Sequence, residues 1–152
     1  MLETSILDQV RSIFQQLEAR YTFHITYHPK HEQAGELIEF LNDVASCSDK
    51  LSCRLTIADE PKLEFTLLKE GQETGIKFRA IPNGHEFTSL LLAILNADGK
   101  GKNLPDATIS RRIKALQGPI RLQTYVSLTC TNCPDIVQAL NIMALLLSLI
   151  HI

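Results

Sequence analysis

Cys130-Thr131-Asn132-Cys133 places two thiols three positions apart, close enough for one sulfur to close on the other. They follow a strand-like run, Leu122–Leu128, and precede a helix-like one, Ile136–Leu140. A C-x-x-C where a strand hands over to a helix points to thiol–disulfide exchange. The attacking species is the thiolate, so the first cysteine needs a lowered pKa. A helix N-terminus supplies this, because its free N–H groups and dipole together resemble about half a positive charge. Pro134 agrees with a helix start here. In a helix interior proline costs ~3 kcal/mol, whereas in the first turn its missing N–H is not needed. The helix is expected to start near Thr131, with Cys130 capping its positive end. Asp135 supports the helix start but opposes the thiolate, so the depression expected is moderate.

The same spacing occurs in zinc sites, which usually take a second ligand pair at comparable spacing. Cys47 and Cys53, separated by five residues at a helix end and a strand start, fit that poorly. They read as small buried or half-buried side chains. Redox exchange is the leading reading of Cys130 and Cys133, with a metal site and inert cysteines as the alternatives. His24, His28 and His31 form a loose group that reads as a solvated strand edge and helix start before it reads as a metal site.

The chain around these residues has 152 positions, 45% of them hydrophobic and 21% charged, which is a globular composition. A net charge of −2 gives no electrostatic case for nucleic acid. Four cysteines are too few for a disulfide-built scaffold. The acidic, amphipathic start Met1-Leu-Glu-Thr-Ser-Ile-Leu-Asp-Gln9 lacks a basic region followed by an apolar run, so no secretory signal is read and a cytoplasmic location is expected. The apolar run Ile142–Ile152 is well short of the ~20 residues that span a bilayer. No membrane association is therefore expected. Part of that run is expected to be exposed and to drive self-association into a homodimer.

Helical spacing of Ile6, Val10, Ile13, Phe14 and Leu17 predicts a helix over 5–19, and Leu37, Ile38, Leu41 and Val44 predict one over 32–45. Tyr21–Tyr27 alternates as a strand. Cys53–Ile57, Leu63–Leu68 and Ile76–Ala80 read as further strands, divided by turns at Asp59-Glu60-Pro61 and Glu70-Gly71-Gln72. A helix over 85–96 follows, with Leu90, Leu91, Ile94 and Leu95 as its core stripe. Lys100–Asn103 is the linker candidate, and Asp106 is a plausible N-cap for a helix carrying Ile109, Ile113 and Leu116. Helix, strand, short motif and helix recur around His28–His31 and around Cys130–Cys133, which suggests two related folds in tandem.

Thr129–Asn141, Gly75–Leu90 and Ala93-Ile-Leu95 together resemble the N-terminal domain of the alkyl hydroperoxide reductase F-subunit. The resemblance covers most of residues 1–146. It implies an α/β architecture of tandem thioredoxin-like folds, each a mixed sheet flanked by helices. Residues 1–99 would form the first, without active-site cysteines, and 104–152 the start of the second, carrying C-x-x-C. It implies an oxidoreductase module in which Cys130 attacks the disulfide of a peroxiredoxin and Cys133 resolves the mixed disulfide. The module serves peroxide detoxification and cell redox homeostasis. Electrons would come from a flavin and pyridine-nucleotide domain of the same family, with FAD and NAD(P)H belonging to the full-length protein. No G-x-G-x-x-G occurs in this chain, so no cofactor is expected here. Glu86 matches a family glutamate that tunes the thiols and handles protons, and Pro82 resembles the proline before the active-site strand contact. After Met143 the sequence departs from the family and runs Ala144-Leu-Leu-Leu-Ser-Leu-Ile-His-Ile152, so it reads as a member truncated in its second fold. A non-catalytic interaction or dimerisation fragment of such a reductase is the alternative.

Read without the resemblance, Glu86 simply caps its helix. Arg111, Arg112, Lys114 and Arg121 read as a solvated basic face before they read as a docking patch for an acidic partner.

Overall fold

The computed structural model describes residues 2–148. Nine elements run in the order α1 (Thr4–Phe14), β1 (Tyr21–Tyr27), α2 (Ala34–Ala45), β2 (Leu51–Ile57), β3 (Leu63–Lys69), β4 (Gln72–Phe78), α3 (Glu86–Ala97), α4 (Ala107–Lys114) and α5 (Cys133–Ser148). The strands form one mixed sheet in the order β2-β1-β3-β4. β1 pairs with β2 in parallel, with α2 as the crossover, and pairs antiparallel with β3. This is the mixed α/β arrangement expected from the sequence.

Two compact units divide the chain. The first holds residues 1–73 and 77–81; the second holds 74–76 and 82–152. α3 falls in the second unit, where it packs on α5.

In the first unit, alternation along β1 sends Tyr21, Phe23 and Ile25 inward. Their antiparallel partners on β3 include Leu67 and Phe65, both fully buried. Phe65 meets Phe23 edge-on at 5.8 Å and stacks on Phe78 at 5.1 Å, both favoured aromatic geometries. Val10 and Phe14 of α1, and Leu37, Leu41 and Val44 of α2, are the buried stripes of the two helices. β3 and β4 are joined by Glu70-Gly71 alone, at φ 49° and 78°. Two consecutive left-handed residues make the tight hairpin turn that matches strand twist. That turn, not local hydrophobicity, sets the start of β4. Gln72 pairs with Lys69, so the strand begins four residues before the expected Ile76. Register then breaks between Glu73 and Lys77, where Gly75 takes φ 82°. A glycine in this region is how a strand accepts a bulge.

In the second unit, Leu90, Ala93, Ile94 and Leu95 of α3 and Ile142 and Leu145 of α5 are buried. The α3 stripe is therefore core, as expected. Asp106 caps α4: its Oδ1 accepts from the Ile109 N–H at 2.8 Å. The strand expected over Leu122–Leu128 does not form. Among the described residues this segment is irregular and mostly exposed. Its alternation is sound, but a strand exists only where a neighbour completes its ladder, and no described strand lies beside it.

Candidate active site

Ser127 builds the turn into the two cysteines. Its carbonyl accepts from the Cys130 N–H at 3.0 Å. Its hydroxyl accepts from the Thr129 N–H at 3.4 Å and lies 3.0 Å from Thr129 Oγ1. A serine that bonds its own backbone two residues on competes with helix and holds the chain in a turn. α5 accordingly begins at Cys133, not near Thr131, and Cys130 stands ahead of the helix instead of capping it. Pro134 is then the second helical residue, where an N–H would have no intrahelical acceptor.

Cys130 and Cys133 are joined as a disulfide, with their Cα atoms 5.5 Å apart. Both residues are half-buried, so the bond is reachable from solvent. It holds the Cys130 sulfur against the first residue of a 16-residue helix. Reduction would release a thiolate beside the free N–H groups and the positive dipole end. Asp135, exposed in the first turn, opposes that field.

α3 supplies Glu86. The residue is 3% exposed, and neither carboxylate oxygen has a hydrogen-bond partner among the described residues. The N-cap position of α3 is His85 and no side chain makes a capping hydrogen bond there; Glu86 sits in the first turn, where its charge meets the positive end of the helix dipole. Leaving a buried acceptor unpaired costs about 1–3 kcal/mol, and an unpaired group in a native fold calls for an explanation. Two contacts locate it. Gly84 takes φ +55°, and a Cβ there would stand 3.0 Å from the Leu128 carbonyl oxygen. Gln138 Nε2 donates to Ser89 Oγ at 3.4 Å. Pairing 84 with 128 and 89 with 138 means that α3 and α5 start at the same end of the unit. Glu86 lies between the first members of these pairs, and the disulfide between the second. Ser89, fully buried, was not singled out from the sequence. Its one signal is that it falls three residues after Glu86, on the same helix face.

The remaining candidates lie elsewhere. Pro82 is buried, and no peptide bond among the described residues is cis. His24 accepts from or donates to Thr56 Oγ1 through Nε2 at 2.9 Å and lies 3.1 Å from Arg54 through Nδ1. Burial first, then the Arg54 charge, push its pKa down, against Glu73. His28 and His31 accept from the N–H groups of Lys30 and Gln33. No group of three or more metal-ligating side chains occurs among the described residues. Cys47 is buried and Cys53 half-buried, both as free thiols. Arg111, Arg112, Lys114 and Arg121 are all exposed. Among the described residues no helix is long and apolar enough to cross a membrane.

Comparison with known proteins agrees with this geometry. No protein-family model matches the chain. The alkyl hydroperoxide reductase F-subunit of Pseudomonas aeruginosa is 35% identical over 146 residues, and that of Staphylococcus epidermidis 37% over 149. Each alignment covers 96% of this chain but 28% of the relative, so the chain spans little more than a quarter of those proteins. The solved N-terminal domain of the Enterococcus faecalis protein superposes with a TM-score of 0.79 at 30% identity, covering 96% of this chain and 75% of that one. A protein disulfide oxidoreductase of Aeropyrum pernix shares the fold, with a TM-score of 0.83 at 17% identity over 97% of this chain and 70% of the other. A mixed α/β fold with a disulfide at a helix start fits a thiol–disulfide redox module, and the chain belongs to the F-subunit family of alkyl hydroperoxide reductase, matching the N-terminal domain.

Proposed function

We propose that this chain relays electrons from a flavoprotein disulfide reductase to a peroxiredoxin. The observation that carries the reading is the Cys130–Cys133 disulfide, half-buried at the start of α5. In the reduced chain, Cys130 Sγ attacks one sulfur of the peroxiredoxin disulfide. An S–S bond forms between the proteins and the second peroxiredoxin sulfur leaves as a thiolate. Cys133 Sγ, after losing its proton, attacks Cys130 Sγ and expels the other peroxiredoxin sulfur. Two electrons pass to the peroxiredoxin, and Cys130–Cys133 is left oxidised. A dithiol of the flavin domain reduces it again by the same two steps. FAD and NAD(P)H belong to that domain in this reading, and the tandem folds divide as 1–99 and 104–152. Glu86, buried with no hydrogen-bond partner among the described residues and at the same end of the unit, is the group we assign to hold or take the Cys133 proton. The setting is a reducing cytoplasm, where such pairs cycle.

Segment 119–126, which pairs with no strand among the described residues, favours a second reading, a fragment that binds its partner without turnover. Cys133→Ser separates the two. With an oxidised peroxiredoxin it should accumulate a mixed disulfide through Cys130, seen as one band on a non-reducing gel and lost on reduction. A complex seen by light scattering with no covalent band would leave only the second reading standing. Glu86→Gln should move the Cys130 thiol titration; an unmoved curve would remove Glu86 from the site.

A further inference from the structure

Apart from Glu86 and Ser89, the buried side chains of α3 are apolar: Leu90, Ala93, Ile94, Leu95 and Ala97. α5 packs on this helix and buries Ile142 and Leu145, in a run whose sequence suggests exposure; residues 149–152 lie outside the described structure. Apolar contacts have no direction, so they define the alignment of two helices loosely. A slide by one residue moves a helix by about 1.5 Å. A buried hydrogen bond is directional and sets register, as a single polar residue does in a coiled coil. Ser89 and Gln138 form such a bond, with Nε2 donating to Oγ at 3.4 Å. Ser89 is fully buried and Gln138 half-buried. Both stand close in sequence to the redox groups. Ser89 falls one turn after Glu86 on the same helix face, and Gln138 lies within the second turn after Cys133. On the other side of these groups, the Gly84 backbone approaches the Leu128 carbonyl.

We propose that Ser89 and Gln138 are positioning residues for thiol–disulfide exchange. Their hydrogen bond sets the register of α3 on α5 and so holds the Glu86 carboxylate against the cysteine pair. The inference rests on the proton role given to Glu86 above and extends it to two further side chains. Neither bonds the carboxylate, which has no hydrogen-bond partner among the described residues, so the effect passes through the helices. A charge close to a thiol shifts its titration by about 1–3 units. A carboxylate that slips along the seam gives part of that shift back. Asp135 rides on α5 with Cys133, so a slide of α3 leaves its influence constant.

The test alkylates the reduced chain with iodoacetamide across a pH series and reads Cys130 labelling by mass spectrometry. Gln138→Met keeps a long unbranched side chain that cannot donate, and Ser89→Ala cannot accept. Each should move the Cys130 midpoint in the direction set by Glu86→Gln, by about half a unit, or about threefold in the ratio of thiolate to thiol. The two changes break one bond, so the double variant should shift no further than either single one. In a Glu86→Gln chain, Gln138→Met should leave the midpoint where it is. Ile142→Val trims one methyl from the α5 core face without touching the bond, and its midpoint should match that of the unaltered chain. If Gln138→Met titrates like the unaltered chain while Glu86→Gln shifts, the positioning role is overturned and that of Glu86 survives. A Gln138→Met shift that persists in the Glu86→Gln chain, or an equal shift from Ile142→Val, would also overturn it. An unmoved Glu86→Gln curve would remove the proton role and this inference together.

Discussion

Gly84 is the position at which one methyl group tests the coupling of α3 to the cysteine loop. Its φ of +55° is left-handed, and an added Cβ would meet the Leu128 carbonyl oxygen at 3.0 Å. Gly84→Ala should therefore carry two costs. The left-handed backbone costs an L-residue about 1–2 kcal/mol. The crowding adds to this, because the obstacle is backbone and cannot rotate away; overpacking of this kind typically costs ~1 kcal/mol at its lower end. The stiffer unfolded chain returns about 0.4–1 kcal/mol. The expected net loss is about 1–2.6 kcal/mol. Gly71→Ala provides the control, since Gly71 has φ +78° but nothing within 4 Å of an added Cβ. It should carry the backbone cost alone and lose ~1 kcal/mol less than Gly84→Ala. Urea unfolding of both variants, followed by circular dichroism, measures the difference. Leu128 is two residues before Cys130, so Gly84→Ala should also change the rate at which dithiothreitol opens Cys130–Cys133, while Gly71→Ala should not. Equal stabilities of the two variants, with equal reduction rates, would refute the close approach of the Gly84 loop to the site.

Two further outcomes are expected. Burial pushes the Cys53 pKa up to about 11, so iodoacetamide at neutral pH should label it more slowly than an unfolded cysteine, and unfolding in urea should abolish the difference. Glu64 is buried with Lys62 at 3.1 Å, Lys77 at 3.0 Å and Arg79 at 3.4 Å around its carboxylate. Burial alone would raise its pKa, but hydrogen bonds and charges from Lys77 and Lys62 outweigh burial and lower it. A lowered folded-state pKa contributes stability above the ordinary glutamate range that is lost as pH falls through the folded value. Glu64→Gln should cost ~1–2 kcal/mol at neutral pH, since the three cations are partly solvated, and should flatten the acid limb of the stability curve; an acid limb identical to that of the unaltered chain would contradict the role given to Glu64.

Elements whose cause is local were legible in the sequence. Leu37, Leu41 and Val44 recur at helical spacing, and they are the residues α2 buries. Asp106 reads as a cap and is one, because its acceptor finds an N–H three residues on. The disulfide pair and its place between an extended segment and a helix were legible for the same reason. Features set by partners distant in sequence were not. Residues 122–128 carry the pattern of a strand but no ladder. β4 starts where the Glu70-Gly71 turn puts it and not where its apolar residues begin. Glu86 is buried in a unit where α3 packs on α5, and that burial leaves no trace at position 86 itself. Likewise, the three cations around Glu64 come from positions 62, 77 and 79, which only the β3–β4 hairpin brings together.

The two free thiols bear on the fidelity of the disulfide. A module that carries oxidising equivalents risks handing them to any other thiol in its own chain, which would scramble its bonds. Cys47 is shielded inside the first unit, where its thiol faces the Leu7 and Asp43 carbonyls at 3.6 and 3.5 Å and burial raises its pKa. Cys53 is kept protonated by burial as well. Neither offers the thiolate that disulfide reshuffling requires. Of the four cysteine sulfurs, two are left to trade electrons while the others stay spectators, so repeated oxidation and reduction leaves the covalent pattern of the chain unaltered.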